Sequence, residues 1–78
     1  MKISRADWRE QTRNRWGYTV VVTRYTGRST VVETFGPFNR NDALKAVWQH
    51  GHAYYAEMRS VDDGETVMTV GYGRVSYR

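Results

Sequence analysis

The sequence predicts a small α+β domain with the element order ββαββ. We expect a four-stranded antiparallel sheet with one helix packed on a face, preceded by a basic N-terminal arm or short helix. Residues 18–25 and 30–35 are rich in β-branched and aromatic residues and lie on either side of a turn signal. Apolar residues recur at helical spacing over 44–51. The 78 residues have the length of one domain, with no cysteine to form a disulfide. We assign 1–15 to the arm and 16–78 to the domain.

The N-terminal segment has a weak helix signal over residues 4–13. Ser4 is a suitable N-cap, and Asp7 stands three residues later, as in a capping box. The apolar content is essentially Ile3 and Trp8, which is too little to hold a helix down alone. The sequence therefore leaves open whether this segment is a loosely docked helix or a mobile arm.

The first two strands are predicted to form a hairpin. Thr26-Gly27 supplies a two-residue turn, because glycine accepts positive φ. The resulting register pairs Tyr25 with Arg28, Val22 with Val31, Val21 with Val32 and Tyr18 with Phe35.

The helix signal after Gly36-Pro37 is the clearest in the chain. Asn39 fits the N-cap position, and Asp42 fits the third helical position, where a carboxylate satisfies free N–H groups. The stripe that faces the sheet is expected to comprise Leu44, Val47, Trp48 and Gly51. Trp48 lies in the middle of this stripe and is expected to be the central core residue.

Two interpretations compete for residues 52–60. In one, Gly51 ends the helix and Ala53 to Val61 form a third strand. In the other, the helix continues. We favour the strand, because the turn Asp62-Asp63-Gly64 needs a strand on each side. The fourth strand would then run from Glu65 to Tyr72 or beyond.

The basic residues are concentrated in the arm. The first fifteen residues hold five bases and two acids, whereas the other 63 hold seven and six. A basic ridge beside aromatic rings suits phosphate contact and base stacking. The nucleic-acid-binding candidates are Arg5, Trp8, Arg9, Arg13, Arg15, Tyr72 and Arg74. Residues 16–78 are nearly neutral, and a nucleic-acid-binding protein would be expected to continue its basic surface onto the folded domain. The charge distribution therefore also allows a protein-interaction module.

The stretch Val70-Gly-Tyr-Gly-Arg-Val-Ser-Tyr77 resembles the octamer of the RNA recognition motif at its glycine, valine and two aromatic positions. It departs from that motif at Val70 and Arg74. The order of elements also differs from βαββαβ, so we do not assign the family. The resemblance implies base stacking, which keeps Tyr72 and Arg74 as secondary candidates.

The remaining patterns argue against catalysis. No nucleophile motif, phosphate loop or metal-ligand spacing is evident, and His50 and His52 lack a third ligand. We expect a small non-catalytic accessory protein without cofactor or metal, cytoplasmic and without membrane contact. Arginine outnumbers lysine ten to two, which suits phosphate binding or reflects a GC-rich bacterial or phage genome. The favoured partner is nucleic acid. The alternative is a host protein that this chain modulates or inhibits, with a homodimer joined by sheet edges.

Overall fold

The computed structural model describes residues 4–13 and 17–77, with the backbone alone for 11–13. In that part of the chain, two helices pack on an antiparallel sheet of five strands in the order β2-β1-β3-β4-β5. The α+β class is confirmed, whereas the predicted four strands and one helix were too few. The elements are α1 (Arg5–Arg13), β1 (Tyr18–Tyr25), β2 (Thr30–Phe38), α2 (Arg40–Gly51), β3 (Tyr55–Ser60), β4 (Thr66–Gly71) and β5 (Arg74–Tyr77).

The fifth strand exists because the chain reverses at Tyr72-Gly73. Both residues have positive φ, 52° and 84°, as in a type I′ hairpin turn. β5 then pairs antiparallel with β4, with Val75 opposite Val70. The sequence analysis predicted one strand from Glu65 to Tyr72 or beyond. In the structure that stretch is interrupted, and Tyr72 lies in the turn and not on a sheet face.

The β1–β2 hairpin forms with a register two residues away from the predicted one. Its turn centres on Gly27 and Arg28, and the Thr26 amide donates to the Ser29 carbonyl at 2.9 Å. Tyr25 therefore pairs with Thr30. A shift of two residues leaves each side chain on its predicted face, because side chains alternate with a period of two.

The helix α2 begins and ends as predicted. Asn39 Oδ1 accepts the Asp42 amide at 2.8 Å, which confirms the N-cap. The helix ends at Gly51, and β3 follows from Tyr55, which confirms the strand alternative.

The core lies between the helices and one face of the sheet. From α2 it takes Ala43, Val47 and Gly51, spaced four apart along the helix. Trp48 packs at the margin of the core and is only partly buried. The prediction that Trp48 is central was therefore wrong, because the helix turns residues 44 and 48 toward its flank. The buried apolar residues are Trp8, Tyr18, Val20, Val22, Ala43, Val47, Ala56, Met58, Val67, Met68 and Val70.

The N-terminal segment is a docked helix in this structure. Ser4 Oγ accepts the Asp7 amide at 3.1 Å, as the capping prediction required. The Trp8 side chain is only 3% exposed, and its Nε1–H donates to the Val67 carbonyl at 2.7 Å. The division into an arm of residues 1–15 and a domain of residues 16–78 stays a prediction. Of the helices that the structure describes, none has the length and apolar character to cross a membrane.

Candidate functional site

A cleft of about 620 Å³ lies between α1 and α2, above β4 and β5. Its volume falls in the range of about 300–1,000 Å³ that is usual for ligand sites. Its lining combines arginine guanidinium groups, aromatic rings and aliphatic side chains. The lining residues are Arg5, Trp8, Arg9, Arg40, Asn41, Leu44, Trp48, Met68, Val75 and Tyr77.

Helix α1 supplies two exposed arginines to one wall of the cleft. Arg5 and Arg9 are four residues apart, so they lie on the same side of the helix as the buried Trp8 between them. The Trp8 ring packs against the Tyr77 ring, with centroids 5.0 Å apart. The position of both guanidinium groups over the cleft therefore depends on the docking of Trp8.

Helix α2 supplies the opposite wall. Arg40, Leu44 and Trp48 recur every four residues and form one ridge. The Arg40 guanidinium carbon lies 5.3 Å from the centroid of the Trp8 ring, within cation–π distance. The Arg40 Nε atom is covered and finds no hydrogen-bond partner among the described residues. Arg40 thus links the two helices and keeps a buried donor unsatisfied.

The cleft has a positive electrostatic character. Three arginines line it, and its lining residues in the described part of the chain include no carboxylate. The nearby Asp42 side chain accepts from Asn39 Nδ2 at 3.2 Å, within the N-cap of α2. Guanidinium groups pair bidentately with phosphate and carboxylate oxygens. The arrangement therefore suits an anionic ligand.

The structure brings together only part of the predicted site. Arg5 and Arg9 line the cleft, whereas the Trp8 side chain is only 3% exposed, which leaves little surface for its predicted base stacking. Tyr72 lies in the β4–β5 turn. Arg74 is exposed and pairs with Gly71 of β4, on the sheet face away from the helices. The Arg13 side chain and Arg15 lie outside the described residues.

Sequence reasoning missed Arg40, Trp48 and Tyr77 as site residues. Arg40 follows the N-cap directly, where any solvated residue is acceptable, so local patterns carry no signal for it. Tyr77 reaches the cleft only because β5 turns back along β4. The signal that was available is the four-residue spacing of Arg40, Leu44 and Trp48. We assigned Leu44 and Trp48 to the core stripe and gave Arg40 no role.

A smaller cavity of about 140 Å³ lies on the other side of α2, against β1 and β2. Arg24 lines this cavity and forms an ion pair with Glu33, which neutralises its charge. The His50 ring stacks on the Phe35 ring, with centroids 4.9 Å apart. No metal-binding group of three or more His, Cys, Asp or Glu occurs within the described ranges. We therefore base the functional argument on the larger cleft.

Comparisons of the chain with protein-family models, curated proteins and solved structures found no match.

Proposed function

We propose that this protein is a small, non-catalytic nucleic-acid-binding accessory protein whose phosphate contacts are made at the α1–α2 cleft. The observation that carries the proposal is the convergence of Arg5, Arg9 and Arg40 on one cleft. The net charge of +4 and the sequence pI of about 9.8 act in the same direction by raising the encounter rate with a polyanion.

The near-neutral net charge of residues 16–78 does not oppose phosphate binding at the cleft, because the local charge there is positive. Arg40 belongs to that body, and it lies beside the two arginines of α1. Phosphate binding depends more on where the guanidinium groups converge than on the net charge of the whole domain. Three such contacts are enough for a measurable salt dependence.

The test is a fluorescence-anisotropy titration of labelled oligonucleotides at several salt concentrations. With three phosphates neutralised, the slope of log K against log salt is expected to be about −2.7 for duplex DNA and about −2.1 for a single strand. Replacing Arg5, Arg9 and Arg40 together by Ala should bring the slope close to zero and weaken all sequences alike. Arg5 and Arg9 are exposed, so their double variant provides a version with little risk to folding.

The matched control removes the same amount of charge elsewhere. Arg28, Lys45 and Arg59 are exposed and do not line the cleft, so their triple Ala variant should keep the wild-type slope. Equal losses in both triple variants would indicate binding by bulk charge and not by the cleft. Absence of binding to duplex and single strands at about 50 mM salt would overturn the proposal.

The second candidate function is self-association through the edge strand β2. Glu33 is the one charged residue of this nine-residue strand, and it is paired with Arg24. Val32 is 60% exposed at the same edge. Long edges with little charge favour pairing with another strand, and Lys on an edge opposes it. Light scattering should then show a dimer that Val32→Lys converts to a monomer, whereas a monomeric wild type at high concentration rejects this candidate.

A further inference from the structure

The cleft has a charged and an apolar part, and a phosphate group alone would contact only the first. Its floor is the sheet, where Val75 and Tyr77 are only partly buried. Leu44 and Trp48 add apolar surface from the wall of α2. A hydrated phosphate bound by the arginines would leave this surface covered by water. A ligand that fills the cleft must therefore join an anionic group to a flat apolar one.

A nucleotide has this combination of groups, but a base within a duplex does not present it. In a double helix the bases are stacked inside, so only phosphates would reach the arginines. In a single strand a base can leave the stack and lie against an aromatic side chain. Trp48 is the suitable platform, because it lines the cleft and is only partly buried. Trp8 does not serve this purpose, since its side chain is buried in the core.

Arg40 lies where the two parts of the cleft meet. Its guanidinium group packs over the Trp8 ring, and it shares a helix ridge with Trp48. A guanidinium group carries five N–H donors, so Arg40 can pair with a phosphate oxygen of the same nucleotide through donors other than the covered Nε–H. One nucleotide can thus contact Arg40 and cover the apolar floor together.

We propose, on the basis of the proposed function, that the cleft binds one unstacked nucleotide of a single-stranded nucleic acid. The base lies against Trp48 and the apolar floor, and the neighbouring phosphates contact Arg5, Arg9 and Arg40. The protein accordingly prefers single strands to duplexes and tolerates different bases, because every base has a stacking face.

The test compares three 12-nucleotide probes with wild-type protein at about 50 mM salt. They are oligo-dT, the same strand paired with oligo-dA, and an abasic strand with the same phosphates. Stacking of one base corresponds to roughly five- to one-hundred-fold in affinity, so the abasic and duplex probes should each bind at least about five-fold more weakly. An oligo-U arm distinguishes RNA from DNA as the source of the strand.

The variants test the role of Trp48. Trp48→Leu keeps an apolar side chain and removes the aromatic face, so it should weaken oligo-dT binding about five-fold or more and leave abasic binding unchanged. Tyr25→Ala is the control, because Tyr25 is an exposed aromatic residue outside the cleft. Equal binding of oligo-dT and the abasic strand, with both lowered by the arginine variants, would overturn this inference and leave the proposed function standing. No binding of any probe would overturn both.

Discussion

Gly51→Ala tests the close approach of helix α2 to the sheet at Val70. Gly51 ends α2 directly above Val70 of β4. A β-carbon at this position would lie 2.4 Å from Val70 Cγ1, 2.5 Å from Val70 Cβ and 2.9 Å from the Val70 carbonyl oxygen. Rotation of the valine side chain moves only the first of these atoms. The helix must therefore shift away from the sheet to accept the methyl group.

Two effects of opposite sign decide the magnitude. Replacing glycine by alanine in a helix favours folding by up to about 1 kcal/mol. Overpacking a core costs about 1–3 kcal/mol, and the upper part of that range applies at Gly51 because a β-carbon and a backbone oxygen are involved. The free energy of unfolding should fall by about 2 kcal/mol. For a domain of this size that lowers Tm by roughly 8–16 °C.

Thermal unfolding followed by circular dichroism measures this change. The matched control is Gly17→Ala, because a β-carbon there would meet Val61 Cγ2 at an ordinary 3.6 Å and the φ angle lies outside the left-handed region. The control should leave Tm unchanged or raise the stability by about 0.4–1 kcal/mol. A Gly51→Ala protein with the wild-type Tm or a higher one would refute the packing argument.

Three further substitutions have expected outcomes in the same unfolding assay. Trp8→Phe removes the indole donor and leaves the Val67 carbonyl without it, so stability should fall by about 1–3 kcal/mol; no change would show that this bond is dispensable. Tyr72→Asn should raise stability by about 1 kcal/mol, because it relieves positive φ and creates the favoured Asn-Gly turn; a lower Tm would contradict this. Asn39→Ala removes the acceptor for the Asp42 amide and should cost about 1 kcal/mol, and a neutral result would count against the cap.

Local signals predicted the elements whose causes are local. The N-cap at Asn39 and the end of α2 at Gly51 follow from side-chain capping and the low helix propensity of glycine. The register of the first hairpin was wrong because both Thr26-Gly27 and Gly27-Arg28 are acceptable as turns. β5 was missed because a non-glycine residue, Tyr72, occupies a left-handed turn position that sequence patterns assign to glycine or asparagine.

The candidate site was harder to predict because its cause is long-range. The repeat of Arg5 and Arg9 was visible in the sequence, but its meaning depends on a hydrogen bond between Trp8 and Val67, 59 residues apart. That contact also places Arg40 beside the arginines of α1. Trp8 stands alone in a polar segment, and nothing in the sequence around it indicates that it contacts Val67.

The same tryptophan connects stability to the proposed binding. Removing the Trp8 side chain should release α1 from the sheet and carry Arg5 and Arg9 away from Arg40, since no other side chain of α1 described here is buried. The substitution leaves the net charge unchanged. If the basic arm binds a polyanion by its charge alone, binding should therefore stay as before. If the α1–α2 cleft makes the contacts, binding should be lost, because the cleft no longer forms. Trp8→Ala therefore separates the two mechanisms under conditions in which the sheet remains folded. Retained affinity and salt slope support the arm, and a loss of both supports the cleft.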